Sequence, residues 1–159
     1  MNFENAFTKL LGHEGQYSNH SQDRGGETCW GVTIAVARAN GYEGPMKEMS
    51  VDVARTIYRR EYWDKCKADS MSDQVRFPLF DAAVNSGVGQ SIKWLQRSLG
   101  VAEDGVIGPV TLSAEKSTPG GVTAARMLGH RLQFMSSLST WPSFGRGWAN
   151  RIAKNLIGE

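Results

Sequence analysis

Residues His13 to Thr33 read H-E-G-Q-Y-S-N-H-S-Q-D-R-G-G-E-T-C-W-G-V-T, and no other stretch limits the fold as strongly. An apolar-periodic helix runs straight into it, and helical patterns resume after it. Phe3, Ala6, Phe7, Leu10 and Leu11 fall at i, i+3, i+4, i+7 and i+8, which is one face of a helix. Gly12 weakens the end of that helix. Gly15, Gly25, Gly26 and Gly31 then mark tight turns and close backbone approach. A short helix must therefore end in a polar, irregular segment with room only for small strand pairs around Gly25-Gly26.

Three side chains in this segment carry chemistry. Glu14 falls where the first helix ends, Asp23 follows nine positions later, and Thr28 five after that. The arrangement suits glycoside hydrolysis. An acid aimed from a helix end protonates the leaving oxygen, while a second carboxylate on a loop holds a water on the opposite sugar face. Such an acid must stay protonated near neutral pH, which calls for a partly apolar site. A Thr hydroxyl both donates and accepts, so Thr28 suits a role in fixing that water. The carboxyl groups of an inverting pair stand ~6.5–9.5 Å apart, and those of a retaining pair about 5–5.5 Å. The same residues also fit an ordinary exposed turn. His13 is expected to pack or to bond the backbone. Tyr17 and Trp30 are placed either to stack on sugar rings or to pin the loop to the core.

The rest of the chain reads as helices. Thr33 is a candidate N-cap for Ile34 to Asn40, stopped by Gly41, and Ser50 caps a helix from Val51 to about Trp63. Asp69 to Arg76 reads as a polar link, with Pro78 in the first turn of a helix over Phe77–Gly87. In that helix Asp81 and Asn85 are i, i+4 and share an otherwise apolar face, where they bond to each other or Asn85 reaches a ligand. Ser91 to Leu99 is amphipathic and ended by Gly100. Asp104-Gly105 is a turn, Pro109 opens a helix, and Ser117–Gly121 (S-T-P-G-G) reads as the best linker. Val122 to Leu138 is the longest helix, with Ala125, Leu128, Leu132 and Met135 at core spacing. Trp141-Pro142 breaks it, and Trp148 and Ile152 are expected in the core.

The bulk numbers exclude several classes. A chain of 159 residues suits one domain with a real core. Hydrophobic content of 40% with 21% charged is ordinary for a soluble globule. A net charge of +2 without a basic run argues against nucleic acid and is compatible with an anionic cell wall. Cys29 and Cys66 have no metal-ligand spacing, and reduced thiols are expected. The N-terminus lacks the basic and apolar regions of a signal peptide, and no apolar run is long enough to span a membrane.

The pattern E-G-Q-Y-S-N…D-R-G-G-E-T-x-x-G-V-T resembles the signature of glycoside hydrolase family 108, the phage and bacterial N-acetylmuramidases. The spacing of Glu14, Asp23 and Thr28 is also similar to the Glu, Asp, Thr triad of the smaller tailed-phage lysozymes, with one residue fewer before the Thr. Gln16 stands where the family has Gly, and His20-Ser21-Gln22 replaces an Asp-Pro-containing run. F-D-A-A-V-N-S-G resembles a family segment and adds weight to Asn85 as a substrate-binding residue beside Tyr17. L-Q-R-S-L-G-V-A-E-D-G-V-I-G-P-V-T resembles the peptidoglycan-binding repeat of wall-active proteins.

The resemblance implies a mainly α (α+β), lysozyme-like, two-lobed single domain over 1–159. Residues 1–87 would form the catalytic part, and 88–159 a helical part resembling a peptidoglycan-binding region. A small β element carries Asp23 and Thr28, a helical lobe begins at about Ser50, and the cleft lies between the lobes with Glu14 at their junction. The implied activity is hydrolysis of the β-1,4 bond between N-acetylmuramic acid and N-acetylglucosamine, with inversion, Glu14 as general acid and no cofactor or metal. Partners would be peptidoglycan as substrate and a holin opening the way to the wall. A monomer is expected, held in the host cytoplasm before lysis and then acting in the periplasm and cell wall. Two rivals remain. A lytic transglycosylase needs only Glu14, and a non-catalytic wall-binding module would explain the second motif but not the first.

Overall fold

The computed structural model describes residues 1–12, 17–19 and 26–158. It is mainly helical, with one small three-stranded antiparallel sheet in the order β1-β2-β3. The chain divides into two compact units, Asn2–Trp63 and, together with Met1, Asp64 onward.

The first unit begins with α1, Phe3–Leu11, capped by the Asn2 side chain, which accepts from the Asn5 amide at 2.9 Å. Phe3, Ala6, Phe7 and Leu10 are buried, as the periodicity requires. The strands are β1 (Tyr17–Ser18), β2 (Thr28–Cys29) and β3 (Val32–Thr33). Thr33 then caps α2, Ile34–Ala39, by accepting from the Val36 amide at 3.3 Å. Ser50 caps α3, Val51–Tyr58, which continues as a π-helical turn over Arg59–Trp63.

Sequence reading starts the helical lobe at about Ser50, but the division falls after Trp63. The reason is aromatic packing. Phe7 tilts against Tyr58 at 5.5 Å between centroids, and Phe3 meets Trp63 edge-on at 5.5 Å, so α3 belongs with α1. Such ring pairs contribute about 0.5–1.5 kcal/mol beyond the area they bury.

The second unit is built round α4, Asp73–Ser86, which packs on α5 (Val88–Leu99) and α7 (Gly120–Ser136). Three expectations change here. The helix begins at Asp73, so Pro78 lies in its interior and not its first turn. Its start is tied down by tertiary contact, since the Ser72 amide donates to Glu115 Oε1 at 2.8 Å. The S-T-P-G-G stretch is hardly a linker. Ser117 closes α6 (Pro109–Ser117) and Gly120 opens α7, with Pro119 as N-cap holding a φ suited to a helix start.

The buried face of α7 is also displaced from the one its apolar residues suggest. Thr123, Ala124, Met127, Leu128, Arg131 and Met135 point inward and Ala125 is exposed, because the face includes Arg131, whose partner Asp81 lies inside. The last helix, α8 (Trp141–Ile157), starts afresh at Trp141 with Pro142 in its first turn. Leu128, Met135 and Ile152 form a core cluster there, with Leu132, Trp141 and Trp148 packed on it. Among the described residues, no helix is long and apolar enough to cross a membrane.

Candidate active site

Glu14 and Asp23, the expected acid and base, lie outside the described residues, as does His13. The structure does describe the sheet that presents Thr28. Cys29 pairs with Val32 across a two-residue connection, Trp30-Gly31. Both connecting residues have positive φ, 52° at Trp30 and 75° at Gly31, the backbone of a tight hairpin turn whose twist matches its strands. Glycine accepts that geometry without strain, but tryptophan does not. Trp30 is held there by hydrogen bonds. Its indole Nε1 donates to the Met49 carbonyl at 2.8 Å, and the Tyr58 hydroxyl donates to the Trp30 carbonyl at 3.1 Å.

The turn sets the register, and the register sets which way Thr28 faces. Cys29 and Val32 are opposite one another and buried, so they form the inner face. Successive side chains alternate between faces. Thr28, opposite Ser18 on one side and Thr33 on the other, therefore belongs to the outer, half-buried face.

Tyr17, expected to bind sugar, sits in β1 opposite Cys29, on the other face of the sheet from Thr28, with 41% of its surface exposed. Its hydroxyl donates to Glu27 Oε1 at 3.1 Å, and Asn19 Nδ2 reaches the same oxygen at 3.4 Å. Desolvation first, and then the Glu27 carboxylate, hold the phenol above its ordinary pKa. Glu27 is the residue that sequence reasoning missed. Its signal was its place beside Thr28 in the E-T dipeptide, but its role as the acceptor for Tyr17 depends on the strand pairing.

Asn85, the fifth expected site residue, is exposed at the end of α4 in the other unit. Its Nδ2 donates to the Asp81 carbonyl at 2.7 Å and approaches Asp81 Oδ1 at 3.5 Å. Asp81 is 1% exposed and is shared among three helices. Oδ1 accepts from Arg151 Nε at 2.8 Å. Oδ2 accepts from Arg131 Nη1 and, at 3.1 Å, from Asn155 Nδ2. Burial pushes the Asp81 carboxyl up, but Arg131 and Arg151 outweigh it and hold the group below its ordinary pKa. Asn85 also lines a cavity of about 290 Å³.

The second motif proves to be a clamp. Gln96 is 1% exposed. Its Nε2 donates to Asp104 Oδ1 at 2.6 Å, the Val106 carbonyl at 3.0 Å and Thr111 Oγ1 at 3.3 Å, while its Oε1 accepts from the Gly105 amide at 2.9 Å. These polar residues of the repeat-like stretch thus fold the α5–α6 connection onto itself. Gly105, at φ 76°, makes the turn.

Comparison with known proteins gives first a class. Residues 7–87 match the family described as Glycosyl hydrolase 108, a stretch running from α1 through the sheet to the end of α4. The class is therefore glycoside hydrolase. The match covers half of the chain, and the chain belongs to glycosyl hydrolase family 108. A solved structure of Brucella abortus SagA superposes with a TM-score of 0.89 at 31% identity, covering 98% of this chain and 91% of that one. No curated protein matches the chain.

Proposed function

We propose that the protein is an endolysin-type N-acetylmuramidase that cleaves the β-1,4 bond between N-acetylmuramic acid and N-acetylglucosamine in peptidoglycan. The observation that carries this reading is the family match over residues 7–87, which takes in Glu14, Asp23 and Thr28 together. Glu14 is the general acid. Asp23 holds and activates a water on the far side of the sugar, and the Thr28 hydroxyl is the second hydrogen-bond partner of that water. The outward face of Thr28 on β2 is consistent with this role. Tyr17, braced by Glu27, projects from the other face of the sheet, and its exposed ring is offered to a sugar away from that water.

In the wider setting, the protein waits in the host cytoplasm until a holin opens the membrane, and then acts in the periplasm and on the wall. It does so as a monomer and needs no cofactor.

Clearing of exposed peptidoglycan by wild type and Glu14→Gln is the deciding assay. The variant folds normally and loses activity by roughly 10³-fold or more. Retention of a tenth of wild-type clearing refutes Glu14 as the acid. The course of reaction is read separately. NMR of fresh product shows the α anomer of reducing muramic acid first if Asp23 activates water, and the β anomer first if it attacks carbon. Mass spectrometry finding 1,6-anhydro ends means a transglycosylase.

A further inference from the structure

The β1 edge of the sheet carries a polar cluster that bond cleavage does not use. Tyr17 lies across from Cys29 in the β1–β2 ladder, and the register continued past Ser18 and Thr28 brings Asn19 across from Glu27. Side chains two positions apart share a face, so Tyr17, Asn19, Glu27 and Cys29 lie together on the face opposite Thr28. Cys29 is buried, Glu27 is half-buried, and Tyr17 and Asn19 are exposed. The cluster has a fixed base, since the Glu27 carbonyl accepts from the Ile34 amide at 2.9 Å and ties the residue to the start of α2.

The direction of the hydrogen bonds decides what this cluster can hold. A carboxylate only accepts, so the Tyr17 hydroxyl points its proton at Glu27 Oε1 and turns only lone pairs toward a ligand. Asn19 Nδ2 comes to the same oxygen, at 3.4 Å. Both donors converge on Oε1, and among the described residues Oε2 takes no hydrogen bond. The cluster therefore offers an aromatic ring, two acceptor oxygens, an amide and one negative charge. It suits a ligand that donates hydroxyl protons, and it disfavours a carboxylate, which brings a like charge and no proton.

The two sugars of peptidoglycan differ in this respect. N-acetylmuramic acid carries a lactyl ether ending in a carboxylate where N-acetylglucosamine keeps a hydroxyl. We infer that Tyr17, Asn19 and Glu27 form a subsite that takes N-acetylglucosamine and rejects N-acetylmuramic acid. The Tyr17 ring stacks on the sugar, Glu27 Oε2 accepts from its hydroxyl, and the Asn19 amide meets the acetamido group. Because the two sugars alternate along the glycan, a subsite that takes only one of them sets which of the two β-1,4 bonds reaches the catalytic residues. The inference rests on the peptidoglycan reading above and deepens it by making Glu27 a specificity-determining residue.

The full chain, labelled with ¹³C and ¹⁵N, is titrated with the methyl β-glycosides of N-acetylglucosamine and of N-acetylmuramic acid. The first is expected to shift the Asn19 side-chain amide and the Tyr17 ring signals, and to bind about tenfold or more tighter than the second, the difference expected of a charge-assisted bond. In Glu27→Gln the side chain still accepts from Tyr17 but has no charge. Its preference should narrow to about threefold or less, with N-acetylmuramic acid binding more tightly than it does to wild type. A merely structural role would weaken both sugars together. The wild-type comparison needs no mutation, so the test does not depend on a variant folding.

Equal binding of the two glycosides by wild type, no shift at Asn19 and Tyr17, or an unchanged preference in Glu27→Gln overturns the inference. Clearing of peptidoglycan, measured in parallel, separates it from the catalytic reading. A chain that clears peptidoglycan but shows no preference here loses only the subsite. A chain that selects N-acetylglucosamine through these residues but cleaves nothing loses only the muramidase assignment.

Discussion

Asp81 is a carboxylate surrounded by protein that nonetheless stays charged. Arg131, Arg151 and Asn155 supply what water would have supplied, and the arginines hold its pKa below the ordinary value against the opposing effect of burial. Removing the charge leaves buried guanidinium short of a partner. Asp81→Asn should therefore cost ~3–5 kcal/mol of stability, read by denaturant unfolding.

The same pKa shift sets a pH dependence. A carboxyl depressed in the fold contributes its full stability above its unfolded pKa of roughly 3.9, and that contribution is lost as pH falls through the lower folded value. Melting temperature is expected to drop on acidification below about pH 4, and to drop less steeply in Asp81→Asn. Asn85 separates two roles in one variant. Asn85→Ala should lose about 0.5–1.5 kcal/mol if its bond to the Asp81 carbonyl is all that it does. Reduced activity per folded molecule at nearly unchanged stability would mean that it orients the ligand. Cys66 gives a simpler test. Burial pushes its thiol up to about 11, so it should resist thiol reagents until the protein unfolds. Cys29 is also free and buried, and no disulfide joins them.

Among the elements, the β2–β3 hairpin links backbone geometry most directly to the candidate site. Its turn places a tryptophan at positive φ, and the bonds to Met49 and Tyr58 offset the strain. Gly31, at φ 75°, adopts a backbone that strains any residue with a Cβ. Gly31→Ala should destabilise the protein by about 1–2 kcal/mol. Because Thr28 lies on the strand that this turn aligns, kcat on peptidoglycan should also fall, measured on the folded fraction. An unchanged kcat would mean that the register of β2 does not govern the chemistry. The α5–α6 clamp is a contrasting case. Gln96 satisfies four groups from inside the fold, and Gln96→Ala should lower the melting temperature while leaving the hairpin's resonances in place.

At the scale of the whole molecule, the protein has two compact units, one holding the sheet with Thr28 and Tyr17 and the other the Asp81 cluster and the cavity. Family membership assigns glycoside hydrolysis to the chain, and the proposed endolysin role gives a cellular prediction. Cells expressing this chain alone should stay intact, and coexpression of a membrane-opening holin should lyse them. Prompt lysis without a holin would refute the dependence on a partner.

Local chemistry was legible in the residues themselves. The face of α1, the caps at Thr33 and Ser50, the helix opened by Pro109 and the family pattern across His13–Thr33 each depend on neighbours a few positions apart, whose spacing is written in the chain. The tertiary structure decided what depends on remote partners. It started α4 at Asp73 and left Pro78 in the helix interior, turned Ala125 outward, and held Trp30 at positive φ through Met49 and Tyr58. It also brought Arg131 and Arg151, 50 and 70 positions away, onto Asp81. Apolar periodicity records which face is buried but not which charge waits on the other side of the core. An i, i+4 pair such as Asp81 and Asn85 therefore revealed its own hydrogen bond and nothing of the arginines, whose arrival is fixed only when α7 and α8 pack.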